Sequence, residues 1–134
     1  MSEKSFQLFS DNITPNIYNS LSTNYKNIIR TPFIFIKSID LLNYTNISPS
    51  PKRIGNYAFF KLKNITDIVN LETSPIEILG KQSFEDCSGL VNINLSNIKK
   101  IEEKAFKNCI NLSFEDKLEL SNCNIISREA FLNC

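Results

Sequence analysis

The amino-acid sequence predicts an α/β solenoid: short strand-plus-helical-turn units stacked into a parallel sheet, behind a helical N-terminal cap. Three observations carry this prediction. The string Ile/Leu-x-x-x-Ala/Ser-Phe-x-x-Cys-x-x-Leu appears whole at Leu79–Leu90 and Ile101–Leu112, opens with Ile54, Ala58 and Phe59 (Leu62 in the cysteine position), and begins a last time at Ile126–Cys134. Phe59, Phe84, Phe106 and Phe131 are 25, 22 and 25 residues apart, and a fixed period in that range marks a small unit stacked on copies of itself. The close of the string, Leu90-Val91-Asn92-Ile93-Asn94-Leu95, alternates apolar and polar with the period of a strand.

Each unit reads as two pieces. In Ile101, Ala105, Phe106, Cys109 and Leu112 the offsets 0, 4, 5, 8 and 11 place all five on one helical face. The alternating residues that follow form the strand. A unit this small cannot bury its own apolar side, whereas neighbours in register bury it for one another. The unequal lengths come from insertions: three extra residues between Leu112 and Leu118, and an extension between Ile68 and Leu79 where Pro75 marks a turn.

The chain divides at Ser48-Pro49-Ser50-Pro51, which cannot continue a helix. Residues 1–50 are expected to form the cap and 51–134 three complete repeats and a partial fourth. Within the cap, Thr14-Pro15 is a helix-start signal, and Ile17, Tyr18, Leu21, Tyr25, Ile28 and Ile29 share a helical face that ends at Thr31-Pro32. Phe33–Ile36 reads as a short buried strand and Ile39–Tyr44 as a further turn of helix. Terminal units of solenoids are usually atypical, so covering the first open face is the role assigned to this half.

The 134 residues, 42% hydrophobic, are enough for one domain with a core. A net charge of +1 provides no long-range field favouring nucleic acid or an anionic membrane. No apolar run approaches the roughly 20 residues of a membrane-spanning helix, and Met1–Ser10 is polar with no apolar stretch behind it. If that start is genuine, the cytoplasm is favoured over the cell surface. The frequent asparagine, isoleucine and lysine read as nucleotide bias rather than chemistry.

At this point the pattern resembles the BspA-like leucine-rich repeats, whose unit runs Ile-Gly-x-x-Ala-Phe-x-x-Cys-x-x-Leu-x-x-Ile-x-Leu. The matching residues are Ile54-Gly55-x-x-Ala58-Phe59, Leu79-Gly80-x-x-Ser83-Phe84-x-x-Cys87-x-x-Leu90-x-x-Ile93-x-Leu95, and the copies opening at Ile101 and Ile126. Glu102 and Ser127 replace the glycine, so this position does not demand a positive φ. Ser96 stands where a proline usually follows the strand. The resemblance implies a leucine-rich-repeat solenoid that binds other macromolecules, often on cell surfaces, and it carries no catalytic residues or cofactor.

The chemistry of the side chains agrees with a non-enzymatic reading. Without histidine there is no Ser-His or Cys-His pair, and no Gly-rich phosphate loop is present. Cys87, Cys109 and Cys134 share one repeat position and Cys123 aligns with Ile98 and Ile76, so all four are expected as buried free thiols. The paired Cys-x-x-Cys spacing or histidine partners of a zinc site are missing. Stacked equivalents would point their Cβ atoms in parallel, unsuited to a disulfide. Lys99, Lys100, Lys104 and Lys107, interleaved with Glu102 and Glu103, read as ordinary surface with ion pairs inside one turn. Six Asn-x-Ser/Thr triplets, at Asn12, Asn43, Asn46, Asn64, Asn94 and Asn111, read as chance.

The outward strand positions Asp67, Asn92, Asn94, Lys117 and Glu119 are the candidate partner-binding residues. They are polar and of mixed charge, which suits a protein or glycan partner held by hydrogen bonds. Two other roles fit the same fold: a surface adhesin-like protein, or an adaptor whose N-terminal helix recruits a second partner. The string stops in mid-repeat at Cys134, which predicts self-association through an open C-terminal repeat or a continuation of the stack.

Overall fold

The computed structural model describes residues 7–8, 37–46, 50–113 and 119–134. The expected helix from Pro15 to Arg30 and the strand Phe33–Ile36 lie outside these residues.

The aliphatic residue that opens each string ends a two-residue strand. These strands are β1 (Gln7–Leu8), β3 (Arg53–Ile54), β5 (Ile78–Leu79), β7 (Lys100–Ile101) and β8 (Ile125–Ile126), and they form a parallel sheet in the order β1-β3-β5-β7-β8. Ile54, Leu79, Ile101 and Ile126 are register partners along it. The alternating residues later in the unit form a second parallel sheet, β2 (Ser38–Asp40), β4 (Asp67–Val69) and β6 (Asn92–Ile93). The units that open at β3 and β5 therefore contribute to two sheets with the core between them, where the sequence predicted one sheet backed by helical turns.

The sequence reading requires two corrections. Ile39 is in strand β2, paired with Ile68 of β4, and helix α1 is confined to Leu42–Thr45. Strand pairing and the buried Ile39, Leu41 and Tyr44 continue the repeat stack upstream of Pro51. Secondly, the Ala-Phe-x-x-Cys segment is not an α-helix but a chain of tight turns. In each unit the third and seventh residues after the opening aliphatic have positive φ: Tyr57 and Lys61, Gln82 and Asp86, Lys104 and Asn108, Glu129 and Asn133. A left-handed L-residue costs roughly 1–2 kcal/mol, so these turns need compensation.

Hydrogen bonds between units supply it. Alternate amides close local turns, as Ser83 N–H to Gly80 O (3.1 Å), Glu85 to Gln82 (3.3 Å) and Cys87 to Phe84 (3.1 Å). The amides between them cross to the next unit: Gln82 N–H to Glu103 O (2.9 Å), Phe84 to Ala105 (2.7 Å) and Asp86 to Lys107 (2.8 Å). The same alternation joins the Tyr57–Lys61 segment to the unit after it, and Lys104–Asn108 to the last described unit. An α-helix would direct all these amides into its own turn and leave the neighbouring unit unbonded.

The apolar positions fall inside as the repeat requires. Phe59, Phe84 and Phe106 are fully buried, and with Phe131 they stack at centroid distances of 5.0, 5.2 and 5.3 Å with planes within 11°. Those distances follow the roughly 4.8 Å strand spacing, and near-parallel rings at such separations are offset, the arrangement their quadrupoles favour. Ile76 and Ile98 fill the return loop at 0% exposure. Ile125 and Ile126, in the last described strand, are 50% exposed, whereas the register partners Ile54, Leu79 and Ile101 are fully buried.

Asparagine proves structural, which corrects its reading as compositional bias. Side-chain amides reach back to the preceding unit from Asn70 (Asp40 Oδ1, 2.9 Å), Asn108 (Asp86 Oδ1, 2.8 Å), Asn111 (Ser88 O, 2.6 Å), Asn122 (Ser96 O, 2.7 Å) and Asn133 (Asn108 Oδ1, 2.9 Å). Asn97 does the same to Glu72 O. Ion pairs run within one turn, as expected for Lys100–Glu102 and Lys104–Glu103, and also between units. Lys52, Glu77 and Lys99 form a column with N–O distances of 3.9 and 2.6 Å, and Arg53 reaches across the second unit to Glu102 in the third.

Two glycines are fixed by close backbone approach. A Cβ at Gly80 would lie 2.5 Å from Ile54 O, and one at Gly89 2.2 Å from Lys63 O. No described glycine has positive φ. Conversely, Ser83 is fully buried in the position held elsewhere by Ala58, Ala105 and Ala130, and its hydroxyl has no hydrogen-bond partner. Ser83→Ala is therefore expected to raise stability by about 1 kcal/mol, the cost of an unsatisfied buried hydroxyl, whereas Gly89→Ala destabilises. Urea denaturation of both variants checks this; a destabilised Ser83→Ala would show that the hydroxyl has a partner.

The hydrogen bond from Lys99 holds the Glu77 carboxyl below its ordinary value, aided by the charges of Lys99 and Lys52 against a smaller opposing effect of burial. A depressed carboxyl pKa stabilises the fold above the unfolded value and loses that contribution as pH falls through the folded one. Glu77→Gln is accordingly expected to lower the melting temperature slightly at pH 7 and to leave it unchanged near pH 3. Melting curves across that range measure the difference.

Candidate functional site

The outer face of the second sheet gathers the residues selected from sequence. Asp67 and Asn92 are register partners on β4 and β6, and Asn92 Nδ2 donates to Asp67 Oδ1 at 2.8 Å. The Thr66 hydroxyl donates to the other Asp67 oxygen, also at 2.8 Å. Asn94, just past β6, accepts the Ser96 amide on Oδ1 at 2.9 Å, a local turn that orients its side chain. Glu119 is exposed beyond the insertion. Lys117 lies outside the described residues.

Asn92 and Asn94 line an open groove of about 350 Å³ with Val69, Asn70, Glu72 and Ser113, floored by Ile68 and Ile93. Sequence reasoning missed Val69, Asn70, Glu72 and Ser113. Val69 follows the same outward alternation as Asp67 and was recoverable from it. Asn70 and Glu72 sit where the first unit departs from the compact one, on a turn that Asn70 enters with a φ of 65°. No strand period marks such positions.

The walls are already oriented. Asn70 is tied to Asp40 and Asn92 to Asp67 through one N–H each, which leaves their side-chain carbonyls available. Side chains held by neighbours lose less entropy when a partner arrives. The Glu72 carboxylate lines the groove without an ion pair among the described residues.

The thiols belong to the fold rather than to this face. Three of the four donate to the phenylalanine carbonyl of the preceding unit: Cys87 to Phe59 O at 2.9 Å, Cys109 to Phe84 O and Cys134 to Phe106 O at 3.0 Å. The position therefore favours a small weak donor, a more specific requirement than a small apolar group. All four cysteines are free, although Cys123 is only partly buried and Cys134 is exposed, so complete burial holds for Cys87 and Cys109 alone. Burial pushes the Cys87 thiol up to about 12. It raises Cys109 too, with further effects from Cys87 and Cys134, and raises Cys134. Among the described residues no three His, Cys, Asp or Glu side chains are grouped to hold a metal ion, and no helix is long and apolar enough to cross a membrane.

Because the thiolate is the reactive species, iodoacetamide at pH 8 is expected to leave Cys87 and Cys109 unmodified in the native protein and to reach only Cys123 and Cys134. Peptide mass spectrometry gives the labelled sites; labelling of Cys109 at the rate of Cys123 would contradict the buried ladder.

A family model described as "BspA type Leucine rich repeat region" matches residues 27–134 in six copies. Among solved structures, a leucine-rich repeat protein from Bacteroides ovatus is 24% identical with a TM-score of 0.54, covering 63% of this chain and 21% of its own. A leucine-rich repeat protein of T. pallidum is 18% identical with a TM-score of 0.52, covering 73% and 55% respectively. The chain thus spans about a fifth and about half of these neighbours, and at such identities the likeness concerns the fold. No curated protein sequence matches the chain.

Proposed function

The chain belongs to the BspA-type leucine-rich-repeat family, and we propose that it acts as a non-enzymatic interaction module that takes a macromolecular partner on the outer face of the second sheet. The supporting observation is a division of labour within each unit. Inward strand positions Ile39, Ile68 and Ile93 are buried, whereas Asp67, Val69, Asn92 and Asn94 face outward around an open groove. Packing requires the first set and makes no demand on the second.

A protein or glycan fits this surface better than a small apolar ligand. The groove is shallow and its rim is amide, carboxylate and hydroxyl, whereas small-molecule sites are mostly enclosed and apolar. Preoriented amides along a rigid sheet offer repeated hydrogen bonds at the spacing of the units. That geometry suits an extended or repetitive partner.

The test is a pull-down from cognate cells with the intact chain and with Asn92→Arg/Asn94→Arg, using Lys107→Glu in the turn string as control. Partner recovery is expected to fall at least tenfold for the double variant, with circular dichroism showing the fold retained, and to persist for Lys107→Glu. Equal recovery from all three would remove this face as the binding surface.

A further inference from the structure

We infer that the groove selects a cationic, extended peptide segment, one that presents Arg or Lys side chains to Glu72 and its amide neighbours. This rests on the reading of the sheet face as a binding surface and adds the chemistry of the occupant. The argument comes from what the groove leaves unspent. Asn70 and Asn92 each spend one N–H on Asp40 and Asp67, so each offers a carbonyl oxygen and one further N–H. Asn94, with its carbonyl taken by Ser96, supplies an amide NH2, and the Ser113 hydroxyl can serve either way. The amides thus donate and accept alike, and the Glu72 carboxylate, which only accepts and carries charge, tips the groove toward a donor-rich, cationic ligand.

Charge points the same way. Glu72 lines the groove, and Asp40 and Asp67 lie on the neighbouring strand positions. Among the described residues none of those lining the groove is a cation. Lys37, just before β2, is in the row of Thr66 and Val91, two strands from β6. Guanidinium groups present five donors and no acceptor, and their charge-assisted bonds to carboxylates are the stronger kind. A neutral glycan could hydrogen-bond to the same groups but brings no positive charge to complement the carboxylates. Val69, 38% exposed on the groove wall, gives the aliphatic stem of such a side chain a surface to lie on.

The experiment is fluorescence anisotropy of the intact chain with a labelled nonapeptide alternating Arg and Ser. The comparison probes have citrulline, which is neutral and of the same shape, or Glu in place of Arg, and maltoheptaose serves as a neutral glycan competitor. Binding of the Arg peptide is expected, at least tenfold weaker with citrulline and undetectable with Glu. Glu72→Gln is expected to weaken it three- to tenfold, and Lys107→Glu to leave it unchanged. No binding at millimolar protein, equal binding of the citrulline peptide, indifference to Glu72→Gln, or displacement by maltoheptaose would each overturn the inference. If the cellular partner is still lost in Asn92→Arg/Asn94→Arg while these probes fail, the sheet-face reading stands and only its cationic occupant falls.

Discussion

The structure depends on the way successive backbone amides are divided between a unit and its neighbour. In the turn string every second N–H bonds within the unit and those between bond to the next. Neither half suffices alone. Local turns of three residues are poor structures by themselves, and a ladder between units needs backbone groups presented outward at regular intervals. The left-handed residues accomplish the presentation, and the ladder offsets their strain. A single unit would have no reason to adopt this path.

Packing then follows from the ladder. Units held one strand apart place equivalent side chains directly over one another, so each phenylalanine meets the previous phenylalanine and each of the three repeat-position thiols meets the previous phenylalanine carbonyl. The same superposition explains the asparagines, whose short amides span one unit spacing. It also explains the glycines: where backbones of adjacent units come closest, Gly80 and Gly89 leave no room for a methyl group.

Much of this was legible in the residues. Ile54, Phe59, Phe84, Cys87, Ile101, Phe106 and Cys109 lie inside as their recurrence required, and Asp67 and Asn92 lie outside and side by side. The sheet at the string openings, β1-β3-β5-β7-β8, was hidden because its strands are only two residues long, too short for a period of two to declare itself. The turn string was mistaken for helix because offsets 0, 4, 5 and 8 bury one face in either conformation. Its left-handed positions are held by Tyr, Lys, Gln, Asp, Asn and Glu, with no glycine to signal them. Asn70, Glu72 and Ser113 escaped notice in the groove for a related reason: they flank strands instead of alternating along them.

The ion pair between Arg53 and Glu102 links residues 49 positions apart and passes over an intervening repeat. Arg53 also holds the Asn56 carbonyl at 2.6 Å, and that oxygen accepts the Lys81 amide at 2.8 Å, so three consecutive units meet at one guanidinium. A linear array whose members touch only their neighbours can fray one member at a time. Here a clasp skips a rung, so loss of the first repeat also deprives the third of a contact. The first and third repeats are thereby coupled directly, and not only through the second.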